Sequence, residues 1–192
     1  MENAKNDRRS LRTRRTLQEA LMSLMQERRY DDITVQDIID RADVGRSTFY
    51  AHYQDKEDLL INSVMRLMDY LTQAVLQPNG EVHRLLPMRE LFEHVEENRP
   101  LIRSLIQGRG FELFTKKGQA FWSQKVAEAL QARLPDGQAA GVPIDVMAQF
   151  AAGTMVSMLR WWLDNKAPYS PEEMDEMLNR LLMSGIENGL RP

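Results

Sequence analysis

Apolar residues recur at three- and four-residue intervals along nearly the whole chain, and no stretch sustains the alternate-residue pattern of a half-buried strand. Each segment can therefore bury one face only as a helix, and the chain is expected to be all-α. Leu17, Leu21, Leu24 and Met25 form the first stripe, with Ser10 as the expected N-cap and an Asp-rich turn after it. Thr34 is placed to cap a second helix carrying Val35, Ile38, Ile39 and Ala42, with Asp37 as the capping-box acid. After Asp43-Val44-Gly45 a short third helix holds Phe49 and Tyr53. Asp55 opens a fourth, with Asp58 at its third position, through Leu59, Leu60, Val64, Leu67 and Leu71 to about Gln77.

Pro78-Asn79-Gly80 stops that helix and marks the expected domain boundary. Beyond it, helices are expected over 87–98, 100–107, 111–134, 144–166 and 171–189. Pro100 and Pro171 lie in first turns, where a missing N–H costs nothing. Pro135, Asp136, Gly137, Gly141 and Pro143 mark a loop. The organisation expected is an N-terminal domain over 1–55, a connecting helix over 55–77 and a second domain over 78–192.

The 192 residues, 43% apolar, suffice for one or two compact domains. The absence of Cys excludes a disulfide framework, a thiolate nucleophile and a Cys-ligated metal. No apolar run reaches the roughly 18–20 residues that span a bilayer, and residues 1–15 lack the apolar core of a signal peptide. A soluble, cytoplasmic protein is expected, with no membrane partner. A net charge of −3 does not advertise nucleic acid, but the distribution is uneven. Lys5, Arg8, Arg9, Arg12, Arg14 and Arg15 face only Glu2 and Asp7 in the first fifteen residues, while Asp31, Asp32, Asp37, Asp40 and Asp43 are offset only by Arg41 over 30–43. One basic face on an acidic molecule is enough for DNA affinity. The Arg-rich segment, read as preceding or opening the first helix, is expected to supply general attraction to phosphate.

Two short helices joined by a three- or four-residue turn, after a first helix, make a helix-turn-helix. Ile38, Ala42, Val44, Phe49 and Tyr53 lock the pair through their apolar side. The outward residues of the second helix are then Arg46, Ser47, Thr48, Tyr50 and His52, with Lys56 beyond, and none is acidic. Such a face suits the major groove, where Arg reads guanine through two hydrogen bonds and hydroxyls meet phosphate or base.

The stretch ITVQDIIDRADVGRSTFYAHYQDKEDLL, residues 33–60, resembles the DNA-binding domain of the TetR family of transcriptional regulators. Thr48-Phe49-Tyr50, His52-Tyr53, and Lys56-Glu57 with Leu59 and Leu60 match the family signature Thr-Leu-Tyr-x-His-Phe-x-x-Lys-Glu-x-Leu, and the likeness extends over about residues 10–75. It implies phosphate contacts from Thr34, Tyr50 and Lys56, and base or backbone contacts from Gln36, Arg46, Ser47, Thr48 and His52, with Phe49 and Tyr53 in the core. Asp43 replaces the family's turn Gly, and Asp tolerates the left-handed conformation required there. Gly45 replaces a capping Ser, removing a hydroxyl. Ser47 replaces a common Gly, and Ile39 a usual Ala.

Residues 81–192 resemble the family's regulatory domain more loosely, in a subgroup that includes regulators of dihydroxyacetone kinase operons. The likeness implies that the last two helices pair with their copies in a homodimer, and two apolar stripes suit this. One runs through Ile144, Met147, Phe150, Ala151, Thr154, Met155, Met158 and Trp162; the other through Met174, Met177, Leu178, Leu181, Leu182, Gly185 and Ile186. The interface expected comprises Phe150, Met158, Trp162, Met174, Met177, Leu178, Leu181, Leu182 and Gly185, with Gly153 and Gly185 allowing close approach. Two-fold symmetry then predicts a pseudo-palindromic operator in double-stranded DNA, its half-sites a helical turn of about 34–36 Å or a multiple apart.

An effector pocket is the other implication, with Phe92, Val95, Leu105, Phe111, Phe114, Phe121, Trp122 and Met155 as lining; the plainer reading makes these residues core. The twelve Met suit a deformable interior. Glu90, His94 and Glu97 share a helix face, but no fourth ligand follows in sequence, so His94 reads as a hydrogen-bonded side chain and no metal or cofactor is expected. His83 stands in a polar loop. No Gly-rich phosphate loop, HExxH or GxSxG is present, and no enzymatic activity is expected. The function expected is that of a homodimeric DNA-binding repressor released by a small molecule; the alternative is an activator controlled by a partner protein, for which the acidic Glu93, Glu96 and Glu97 face is available.

Overall fold

The computed structural model describes residues 2–75, 85–106, 108–134 and 139–191, with all their side chains except those of 2–7 and 73–75. Every regular element among the described residues is helical. In chain order these are α1 (Glu2–Glu27), a 3₁₀ turn (Tyr30–Asp32), α2 (Val35–Ala42), α3 (Arg46–Tyr50), α4 (Lys56–Val75), α5 (Met88–Glu97), α6 (Arg99–Ile106), α7 (Arg109–Gln131), α8 (Ile144–Asp164) and α9 (Pro171–Leu190). The expected all-α class is the one observed. Pro78-Asn79-Gly80, His83 and Pro135-Asp136-Gly137 lie outside the described residues.

Two compact units form, and neither is a single run of chain. Residues 1–64 join with 98–114, and residues 65–97 join with 115–192. Segment 98–114 thus packs with the N-terminal helices, although chain order places it after the expected boundary.

In the first unit, Leu17, Leu21, Leu24, Ile38, Phe49 and Leu59 are buried, the stripes that the periodicity marks as inward. Burying each such side chain contributes about 1.5–3 kcal/mol. Polar contacts then set the angle of α2 on α1. Arg41 donates to both carboxylate oxygens of Glu27, at 2.9 and 2.8 Å, and to Ser23 Oγ at 2.6 Å. An exposed pair of this kind adds little stability but much geometry. Helix α6 packs on α1, where the buried Ser104 hydroxyl donates to the Arg28 carbonyl at 3.0 Å. Gly110 allows Leu105 and Tyr30 to close over it, since a Cβ there would lie 2.7 Å from Leu105 Cδ2 and 2.9 Å from Tyr30 Cδ1.

In the second unit, Phe92 of α5 meets Trp162 of α8 edge-on at 5.0 Å. The Trp162 indole N–H donates to the Tyr169 carbonyl at 2.8 Å, and that of Trp122 donates to the Met68 sulfur at 3.0 Å. Helix α9 opens with Ser170 and Glu173 in a reciprocal capping box and Pro171 in its first turn. Buried Asp175 of α9 accepts from the Arg89 amide near the start of α5 at 3.3 Å.

Two boundaries depart from expectation. Helix α1 begins at Glu2, so Ser10 is an interior residue and not an N-cap. The Arg-rich segment is therefore helical backbone continuous with α1, and Arg8, Arg9, Arg12, Arg14 and Arg15 lie exposed along it. Tyr53 falls three residues beyond the end of α3, though it is buried as expected.

Candidate nucleic-acid interface

The interface is built on the N-terminus of α2. Thr34 is its N-cap: the Asp37 amide donates to Thr34 Oγ1 at 3.2 Å, and the Thr34 amide donates back to Asp37 Oδ2 at 2.8 Å. The Thr34 hydroxyl also donates to that carboxylate at 2.6 Å. Arg28 closes on the other oxygen at 2.9 Å. These bonds, the Thr34 hydroxyl foremost, hold the Asp37 carboxyl down to about 2.

The turn follows from Asp43, which adopts φ 50° and ψ 51° and ends α2 in the left-handed region. Its amide donates to the Asp40 carbonyl and the next one, Val44, to that of Ile39. Gly45 is the N-cap of α3 and provides no side-chain bond. The Thr48 and Phe49 amides donate to its carbonyl instead, at 2.9 and 3.2 Å. Helix α3 has only five residues and owes its position to packing: Phe49 is fully buried and stacks obliquely with buried Tyr53 at 6.0 Å.

Opposite that anchor, Arg46, Ser47 and Tyr50 are exposed, Tyr50 by 52%, while Thr48 and His52 are half-buried. Arg46 Nη2 donates to Gln36 Oε1 at 3.0 Å, and Gln36 Nε2 donates to Asp40 Oδ1 at 2.7 Å. A carboxylate only accepts, so Asp40 dictates which way the Gln36 amide faces and turns its oxygen to Arg46. Asp40 was not among the expected site residues, though its four-residue spacing from Gln36 is a legible signal. His52 has its pKa lowered, first by burial and then by the Arg14 guanidinium of α1. It is therefore neutral at neutral pH, and Arg14 belongs to the same electropositive neighbourhood.

Lys56 is occupied differently from its implied phosphate contact. Its Nζ donates to three backbone carbonyls, Tyr30 at 3.1 Å, Asp31 at 3.0 Å and Ile33 at 2.7 Å, and lies 4.7 Å from the centre of the Tyr30 ring. All three ammonium protons are engaged within the protein.

The other expected residues divide between the units. Leu105, Phe111 and Phe114 are buried in the first; Phe92, Val95, Trp122 and Met155 are buried in the second, where Phe121 is half-buried. Of the expected dimer residues, Trp162, Met174, Leu178 and Leu182 are buried within the single chain, because the stripe that faces the unit's own core is the more apolar one. Met158 and Met177 are half-buried. Phe150 (57%) and Leu181 (71%) are exposed, as is Gly185, and so are two residues not expected, Val146 and Trp161. No group of three His, Cys, Asp or Glu side chains able to hold a metal occurs among the described residues. No helix of the described residues is long and apolar enough to cross a membrane.

The chain matches two family models, "Bacterial regulatory proteins, tetR family" over residues 17–62 and "Transcriptional regulator C-terminal region" over 87–184. It is 41% identical over 73 residues, 35% of its length, to an uncharacterized HTH-type transcriptional regulator, YxbF of Bacillus subtilis. It is 38% identical over 55 residues, 29% of its length, to DhaS of Lactococcus lactis, an HTH-type dhaKLM operon transcriptional activator. The matched stretches span 19% and 29% of those two relatives. Among solved structures, a TetR transcriptional regulator from Streptococcus agalactiae is similar with a TM-score of 0.65 and 27% identity, over 94% of this chain and 98% of that one. The dihydroxyacetone kinase operon activator DhaS shares the fold at 19% identity and a TM-score of 0.64, over 91% of this chain and 96% of that one.

Proposed function

The chain belongs to the TetR family of transcriptional regulators, which bind DNA, and on that premise we propose that it is a homodimeric repressor that leaves its operator when a small molecule binds. The observation that carries the DNA side of this reading is the acid-free outer face of α3, Arg46, Ser47 and Tyr50, standing on buried Phe49. Arg46 is the residue assigned to base reading, because a guanidinium already held by Gln36 reaches the groove with fewer orientations to lose. Ser47, Thr48 and Tyr50 are assigned to phosphate or base edges, and Thr34 and Gln36 to the backbone beside the α2 N-terminus, where the helix dipole favours phosphate. Lys56 works from inside the fold.

Dimerisation through α8 and α9 accounts for Val146, Phe150, Trp161 and Leu181, large apolar side chains in water on the single chain. Effector contact is assigned to Phe92, Val95, Trp122 and Met155, all in one unit; a cytoplasmic location follows from the same reading. A second reading, activation under control of a partner protein, is favoured by the likeness to DhaS, which is named an activator.

The test is fluorescence anisotropy with DNA from upstream of the protein's own gene against a scrambled duplex at two salt concentrations. Preference for the native fragment near physiological salt supports the reading, and Arg46→Ala should then lose roughly tenfold or more. Equal, salt-fragile binding to both duplexes would reduce it to phosphate attraction.

A further inference from the structure

The strongest unexplained feature of the DNA-binding unit is the coordination of Lys56. Its ammonium sits among three carbonyls contributed by one short stretch, at Tyr30, Asp31 and Ile33, over the face of the Tyr30 ring. Lys56 is the first residue of α4, and Asp55 before it caps that helix, accepting from the Asp58 amide at 2.7 Å. Ile33, which accepts the shortest of the three bonds, immediately precedes Thr34, the N-cap of α2. The bond therefore joins the entrance of the first helix of the helix-turn-helix to the exit of the second. From Thr34 the chain runs through α2, the Asp43 turn, α3 and a five-residue link back to Lys56, and the ammonium closes this circuit.

We propose that Lys56 is a positioning residue for DNA recognition: it fixes α3 relative to α2 by closing the motif on itself, and it does not contact phosphate. This rests on the DNA-binding reading above. An ammonium has three donors, and all are used. Carbonyls converging from three residues of a turn suit a compact point charge and not the planar fork of Arg. Helix α3 is too short to hold its own orientation, so its direction depends on the buried Phe49 and Tyr53 anchor and on the closure that follows its C-terminus.

The experiment compares Lys56→Met and Lys56→Arg with the wild type in the full chain, using a duplex that the wild type selects from a random-sequence library and a scrambled duplex of the same composition. Lys56→Gln replaces the Met variant if that one does not fold. With folded variants, Lys56→Met is expected to lose about tenfold or more in affinity for the selected duplex, a loss on the order of one hydrogen bond from a charged group. Scrambled binding should stay nearly constant, so the specificity ratio collapses while the dependence of log affinity on log salt keeps its slope. Lys56→Arg should not restore the ratio. Amides of residues 30–33 and 46–50 should exchange faster in Lys56→Met without DNA.

A slope reduced by about 0.9, the value of one phosphate, with the specificity ratio preserved and Arg restoring affinity, would overturn the proposal. So would unchanged exchange at those amides. If the wild type selects no duplex, the DNA reading fails and the recognition role with it, whereas the exchange comparison still decides whether the closure exists.

Discussion

Tyr30 shows how one residue can be both central and imperfect. It is 1% exposed, its ring lies under Lys56 and against Gly110, and its hydroxyl has no hydrogen-bond partner among the described residues. Burial, with the Glu57, Asp55 and Asp31 carboxylates nearby, raises its pKa, so the phenol stays protonated and its unmet donor remains a cost at neutral pH. Phe keeps the ring for Lys56 and removes the orphaned hydroxyl. Tyr30→Phe is therefore expected to stabilise the first unit by about 1 kcal/mol, read as a higher thermal midpoint; a lower one would mean that the hydroxyl is satisfied in solution. Neither this nor the Lys56 cage was legible in the sequence, because the carbonyls that meet Lys56 lie 23–26 residues earlier and only the fold brings them together. Asp43 was legible. A turn needed a positive φ at that position, and the residue present tolerates one.

At the scale of elements, legibility followed the kind of force that makes each helix. Helices with an apolar stripe and a start signal, such as α2 and α9, began where Thr34 and Pro171 announced them. The start of α1 was missed because residues 2–9 carry no apolar stripe, and propensity in Glu, Ala, Lys and Arg extends the helix instead. The two-unit partition was hidden for another reason: nothing in the spacing of α6 says which neighbour its buried face will meet. The α2 cap also makes a pH prediction. Asp37 has its carboxyl lowered from 3.8 to about 2, chiefly by the Thr34 hydroxyl. A lowered carboxyl means that the unfolded chain binds the proton first as pH falls. Its contribution is thus complete above about 4 and is lost between there and about 2. Asp37→Asn should melt a few degrees below the wild type at neutral pH, with the difference closing below pH about 2. A constant difference across that range would assign the effect to the cap's shape and not to its charge.

For the whole molecule, the decisive quantity is how much apolar surface the single chain leaves in water. Val146 and Phe150 fall on successive turns of α8 and Trp161 lies about three turns further along the same face, and Leu181 stands 71% exposed on α9 one turn from Gly185, where a Cβ would meet nothing within 4 Å of the chain. A second copy could approach closely at that point. Covering a Phe or Leu contributes about 1.5–3 kcal/mol, and in a two-fold interface each residue counts twice. Sequence periodicity located both helices but not the split between inward and outward stripes, since Trp162 and Trp161 are equally apolar and differ only in which way the helix turns them. That split is what a paired substitution can test. Leu181→Glu puts two carboxylates into each dimer and nothing into the core of the chain, so sedimentation should give a folded monomer at concentrations where the wild type is a dimer. Because a palindromic operator is then met by independent halves, its affinity for a duplex selected by the wild type should fall by two orders of magnitude or so, as linked binding is lost. Leu182→Glu, one residue on and buried, should instead destabilise the chain itself, with the helical signal falling along with dimer. A wild type that sediments as a monomer, or a Leu181→Glu variant that remains a dimer, would place the assembly surface elsewhere and leave the exposed face of α8 and α9 for a partner protein.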